Sequence, residues 1–467
     1  MKRQKITSSE LLCAICFALC FFAFMLTEAF INERCAVILG STAVNPVYTF
    51  GLVCTGFGFL SFSLLRRLCK KEKSRKTAQI IIGVLCLGAA LVLLFADHPA
   101  LFLTSSAAAL LLTGHINGCV YYNTAMYFAA SRYMGRLIGT GMGVAILLQF
   151  VVQNLIPQSV TFIISIILSV AFVMYFVITV PKNWILENPL PYSSDAKKDF
   201  KKTLLLIVAV VLMSLVAGMI DSVLTAFNAE KSYDIYGGVR LFYALGLILA
   251  GVLADIRERK YLPLSTVCTI LLSSVCMFFL SDKVSYFAGT ALMYLYSGFY
   301  VIFFTVMFLD FAPKSGNPEL WAGMGRIVRS FTVAATVLPA LSVYDAVGNT
   351  VLAVVSCLLS ILILLVLLPY LSNAAVSFKP TEELISGSPE LSPQERMKLY
   401  AQHCSLTPRE TEVLEKLLTT EDGVQEIADS LYISRRMLQR YISSIYEKTE
   451  TKTRLGLFQR YMSFTTE

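Results

Sequence analysis

The chain has 467 residues, of which 56% are hydrophobic and only 15% charged, with a formal net charge of +8 and a mean hydropathy of +0.67. Soluble domains carry roughly 25% charged residues, so most of this polypeptide is not an ordinary soluble domain. The positive balance does not by itself mark a nucleic-acid binder, because most of it falls in short segments between apolar runs, where Lys and Arg set membrane topology. Most of the twelve cysteines lie inside those runs without paired spacing. Cys13-Ala-Ile-Cys16 is formally a CxxC, but it sits in the first apolar run, so the thiols read as small packing residues. The histidines His98, His115 and His403 form no cluster, and no nucleophile–base pair or phosphate loop is visible. No metal, no cofactor, no catalytic residue and no enzymatic activity are expected.

In chain order, Met-Lys-Arg-Gln-Lys precedes an apolar stretch from Leu11 to Ile31. That stretch is long enough for a hydrocarbon core of ~30 Å and too long for a cleaved leader. Apolar runs recur at about 44–65, 78–96, 100–122, 136–154, 160–180, 204–227, 237–256, 261–281, 286–309, 321–343 and 347–371. With the first run these make twelve spans, which return both ends to one side. Segments on the N-terminal side hold 21 Lys and Arg against three on the other. This positive-inside bias puts both termini in the cytoplasm.

The runs form two groups of six. Gly58-Phe-Leu-Ser-Phe62 returns as Gly251-Val-Leu-Ala-Asp255, Met134-Gly-Arg-Leu-Ile138 as Met324-Gly-Arg-Ile-Val328, and Thr124-Ala-Met-Tyr127 as Thr305-Val-Met-Phe308. Two related halves joined by a polar connector at about 182–203 resemble the major facilitator architecture. Gly251-Val-Leu-Ala-Asp255-Ile-Arg257-Glu-Arg259-Lys260 resembles the Gly-x-Leu-Ala-Asp-Arg-x-Gly-Arg-Lys loop of that superfamily. The resemblance implies that Asp255 holds a cytoplasmic closure, with Arg136 at the start of span five as its expected partner. In the first half Phe62 takes the acid's place, a departure from the pattern. The resemblance also implies that spans 1, 4, 7 and 10 line a central cavity. Polar and ionisable groups inside spans are costly and mark function. On that ground Glu28, His115, Asn117 and Asp221 are the candidate ligand-binding residues, and Glu28 and Asp221 match across the repeat.

Composition changes after Leu371, where Lys379-Pro380, Gly387-Ser-Pro389 and Ser392-Pro393 punctuate a polar linker over 372–404. Ser392 with Glu395 predicts a capping box and a short helix through about Tyr400. Thr407-Pro-Arg-Glu410 is a second such pattern, followed by Val413, Leu414, Leu417 and Leu418 at helical spacing. A second helix is predicted at about 424–431. A third starts at Ser434 with Leu438, Tyr441, Ile442 and Ile445 inward, and a fourth covers about 452–462.

The Leu-Thr-Pro-Arg-Glu start, the Glu-Ile-Ala core, Ile-Ser before the third helix, Ile-Tyr-Glu-Lys at its end, and Arg454 together resemble the LuxR/GerE helix-turn-helix. That resemblance implies a four-helix DNA-binding domain over 405–467 whose third helix enters the major groove. Gln439, Arg440 and Ser443 are the candidate base-edge contacts. Arg435, Arg436, Lys448, Lys452 and Arg454 are the candidate phosphate contacts. Met437, Leu438, Gln439 and Tyr441 depart from the usual residues, so an unusual operator is expected. Residues 405–467 hold nine basic and ten acidic side chains. A domain without bulk positive charge binds DNA weakly as a single copy, which favours a homodimer on a palindromic double-stranded operator.

The sequence thus predicts an all-α protein: a major-facilitator-like membrane bundle of 12 spans in a 6+6 pseudo-repeat over 1–371, a linker over 372–404 and a LuxR-type domain over 405–467. The expected function is a membrane-bound, one-component transcriptional regulator in the bacterial inner membrane, gated by a small-molecule ligand, with RNA polymerase as a further partner. The alternative is a major-facilitator transporter that carries a regulatory DNA-binding domain.

Overall fold

The computed structural model describes residues 6–129, 131–156, 159–179, 200–231, 233–256, 259–276, 283–372, 393–420, 422–449, 451 and 453–462. The chain forms two compact units, Met1–Glu382 and Glu383–Glu467. The first contains α1 (Ser8–Ile38), α2 (Val44–Leu68), α3 (Glu72–Leu94), α4 (Pro99–Tyr127), α5 (Met134–Asn154), α6 (Ser159–Thr179), α7 (Phe200–Ala229), α8 (Arg240–Ala254), α9 (Tyr261–Cys276), α10 (Lys283–Phe311), the one-turn α11 (Pro318–Trp321), α12 (Met324–Val347) and α13 (Asn349–Ser372).

Among the described residues, ten helices are long and apolar enough to cross a membrane. Helices α8 and α9 are apolar but shorter over their described residues, α9 being described only as far as Cys276, so the expected twelve spans are not all established. At 1.5 Å per residue, the 15 residues of α8 rise only about 22 Å. The chain is a multi-pass membrane protein. Helices suit that setting because every backbone group finds its partner within the segment. Thr7 caps α1, its hydroxyl accepting from the Glu10 amide at 3.2 Å while the Thr7 amide donates to the Glu10 carboxylate at 2.8 Å. The thiols of Cys13, Cys16, Cys20, Cys86 and Cys119 are free and buried.

The two sequence repeats become two halves that meet along α2 against α12 and α5 against α8. Contact between α5 and α8 depends on small residues. A Cβ added to Gly139 would stand 2.6 Å from the Leu247 carbonyl oxygen and 2.7 Å from the Gly251 Cα, so the backbones approach too closely for any side chain. Met134 and Met324 open α5 and α12, the same place in each half. The arginines two residues on differ in setting: Arg136 is largely exposed and Arg326 is buried.

The second unit contains α14 (Pro393–His403), α15 (Pro408–Thr419), α16 (Val424–Ser430), α17 (Arg435–Lys448) and α18 (Arg454–Met462). Its own core gathers Val413, Leu414, Leu417, Ile427, Ala428, Leu438, Ile445 and Leu457. Tyr400 of α14 joins that core and meets the Tyr461 ring edge-on at 5.2 Å. Thr407 and Glu410 form the predicted capping box, and Ser434 caps α17 by accepting from the Met437 amide. The predicted Ser392 cap lies outside the described residues.

Candidate functional site

Helices α1, α2, α7, α8, α10 and α12 enclose a polar cavity of about 80 Å³ between the halves. Glu28 and Asp221, equivalent across the repeat, both line it. Facing them are Arg240 and Arg329, which sequence reasoning missed. Asp221 is engaged through one oxygen: its Oδ2 accepts from the Tyr48 hydroxyl at 3.0 Å and from Arg329 at 3.2 Å. Because Tyr48 sits on α2, Asp221 on α7 and Arg329 on α12, this cluster joins the halves directly.

Arg240 is only 7% exposed. Its guanidinium lies over the rings of Tyr236, Tyr243 and Tyr294, with centroids 5.2, 5.5 and 5.4 Å away. One of its nitrogens reaches the Gln149 side-chain oxygen at 3.4 Å, while its Nε is buried without an acceptor among the described residues. Gln149 in turn donates to the Met25 carbonyl at 3.2 Å. Neither arginine stood out in the sequence, because each lies within a turn or two of its helix start, where a basic residue reads as an interfacial anchor.

The structure does not bring His115 and Asn117 to this cavity. His115 lies within hydrogen-bonding distance of Ser61 on α2 (2.8 Å) and Gln79 on α3 (3.3 Å), and Asn117 donates to the Thr113 carbonyl within α4. The cause is the packing of α4 on α2: a Cβ on Gly114 would stand 2.6 Å from the Thr55 carbonyl oxygen. This close contact turns the neighbouring His115 into the first half. The expected lining by spans 1, 4, 7 and 10 is therefore replaced by one in which α2, α8 and α12 take part and α4 does not.

Asp255 meets the start of α5, but chiefly through backbone. Its oxygens accept from the Gly135 and Arg136 amides, both at 2.8 Å, capping that helix N-terminus. Arg259 is the closer cation at 2.5 Å and also binds Asp310 at 2.7 Å, whereas the Arg136 side chain stands at 3.7 Å. The expected Asp255–Arg136 pair is thus the long edge of a cluster centred on Arg259.

On α17 the side chains of Arg435, Arg436, Gln439, Arg440 and Ser443 are exposed and, among the described residues, unpaired, while Leu438 and Ile445 point into the core. An amphipathic helix of this kind presents one polar face suited to a groove. Two of the expected phosphate contacts are engaged inside the domain instead. Lys448 bonds Glu410 at 2.7 Å. Arg454 donates to the backbone carbonyls of Leu417 and Asp422, both at 2.8 Å, and to that of Thr420. Lys452 lies outside the described residues.

Residues 404–460 match the family model for bacterial regulatory proteins of the luxR family. This segment is a luxR-family helix-turn-helix domain. The membrane helices have the fold of major facilitator transporters. The human organic anion transporter MFSD10 (TETRAN) aligns with a TM-score of 0.53 at 14% identity, over 77% of this chain and 98% of that one. An auto-inhibited POT family peptide transporter aligns with a TM-score of 0.52 at 10% identity, over 78% and 96%. At such identities the likeness concerns fold alone. No curated protein matches the chain.

Proposed function

We propose that the protein is a membrane-bound, one-component transcriptional regulator. Its luxR-family domain reads a palindromic operator as a homodimer, from a chain held in the bacterial inner membrane with both termini cytoplasmic. The single observation behind this reading is the exposed polar face of α17, Arg435 to Ser443, in a chain that also carries, among its described residues, ten helices of spanning character. The bias of 21 basic residues against three supports the orientation. Input comes from a small ligand in the cavity between the halves, which must bind one arrangement of those halves better than the other. Contact with RNA polymerase then turns operator occupancy into transcription, and no catalytic step is assigned to the chain.

Deleting residues 405–467 tests the reading: target transcripts should change, and an unchanged transcriptome overturns it. A second reading, a transporter that regulates its own expression, draws support from the fold shared with the human organic anion transporter and from the two arginines in the cavity. Uptake or efflux by a chain ending at Leu371 would favour it.

A further inference from the structure

We infer that the cavity takes a small zwitterion, with the ligand's carboxylate on Arg240 and its ammonium on Glu28. The inference rests on the ligand-gated reading above and names the class of that ligand. Four charged side chains line the cavity, and two of them pair: Arg329 with Asp221, to which Tyr48 also donates, although the Arg329 Nε, like that of Arg240, is buried without an acceptor among the described residues. The other two are left apart. Arg240 has no carboxylate within ion-pair distance among the described residues; Gln149 and Tyr294 bond it, and its Nε is buried without an acceptor. Glu28 has neither a hydrogen bond nor an ion pair there, and its side chain lines the same void.

The three tyrosine rings around Arg240 offset only part of the cost of burying a cation that lacks an anionic partner. A plain anion would pair Arg240 and leave Glu28 half-buried and unpaired, and a plain amine would do the reverse. A molecule with both charges bridges the gap and pairs both. Arginine's planar fork suits a carboxylate bidentately. The void of about 80 Å³ restricts the occupant to a small molecule.

The test uses the full-length protein in detergent and measures binding by calorimetry. The probes are the twenty standard amino acids, the matching amines without the carboxylate, and the matching acids without the amine. At least one amino acid should bind, with its amine and acid counterparts weaker by about tenfold or more. Arg240→Gln should remove amino-acid binding. Glu28→Gln should leave the acid counterpart bound as in wild type while erasing the preference for the amino acid. The wild-type comparison of analogues keeps the idea falsifiable even if a variant fails to fold. Equal binding of acid or amine, or no binding across the amino acids, overturns the assignment. An amino acid that binds with the predicted preference but leaves target transcription unchanged sinks ligand gating and supports the ligand class. Transcription that answers only to a plain acid or amine sinks the class and keeps the gating.

Discussion

Replacing Glu410 with glutamine should loosen the luxR-family domain and also abolish part of its acid sensitivity. The carboxylate is 4% exposed and ties the first turn of α15 to the last turns of α17: it accepts from the Thr407 amide at 2.7 Å, the Ser444 hydroxyl at 2.6 Å and the Lys448 ammonium at 2.7 Å. Burial alone would raise its pKa, but the bonds from Lys448, Ser444 and Thr407 outweigh it and hold the carboxyl at about 2, against an ordinary 4.5. At ~1.4 kcal/mol per pH unit, the difference amounts to roughly 3 kcal/mol of stability at neutral pH. Lys448 is 33% exposed, so solvent screening trims the expected loss in Glu410→Gln to about 2 kcal/mol.

The folded pKa lies below the unfolded one, which fixes the sign. The contribution is fully present above about pH 5 and disappears as pH falls from there toward about 2. Urea unfolding of residues 383–467, followed by circular dichroism across that range, gives the measurement. The gap between wild type and variant should be widest at neutral pH and close on acidification. A gap below ~0.5 kcal/mol at neutral pH, or one that does not narrow in acid, would refute the reasoning.

Arg454→Lys should destabilise the same fragment by roughly 2–4 kcal/mol, because an ammonium's donors leave a single nitrogen and cannot reach three carbonyls placed around a guanidinium's separate nitrogens. Weaker DNA binding at unchanged stability would show that Arg454 contacts phosphate after all. Arg440→Ala should cost about 1–3 kcal/mol and relax specificity at one base position of a selected operator, with nonspecific binding unchanged. Arg436→Ala should instead weaken all sequences alike and reduce the salt slope by about one; equal salt slopes for the two variants would reject the division. In the membrane unit, Gly139→Val should force α5 off α8 and cost about 1–3 kcal/mol or more, read as a lower thermal midpoint in detergent. A Cβ added at Gly88 would meet nothing within 4 Å, so Gly88→Val serves as the control. Matching midpoints would show that the close approach is not needed.

Much of the architecture was legible because it is written in local chemistry. Lipid demands long apolar helices, and the runs beginning at Leu11 and ending at Leu371 announce them without reference to one another. The capping box at Thr407 likewise depends on residues three apart. The Met134 and Met324 repeats located equivalent helix starts. Polar residues on α17 separated cleanly from Leu438 and Ile445 because helical periodicity alone sorts them.

The candidate sites were only partly legible. Glu28 and Asp221 were visible as carboxylates in apolar surroundings, yet their arginine counterparts Arg240 and Arg329 were hidden among residues that could equally have faced an interface. His115 looked equally suited to a ligand, but the glycine contact between α2 and α4 turned it away. Lys448 and Arg454 resembled free cations until Glu410 and three carbonyls were found beside them.

The sequence by itself determined what each segment is: membrane helix, linker or reader, since hydrophobicity, capping and periodicity act over a few residues. Only the tertiary structure decided which charges are paired and which are not. Pairing depends on distances of a few ångströms between helices more than a hundred residues apart, and no local pattern encodes those.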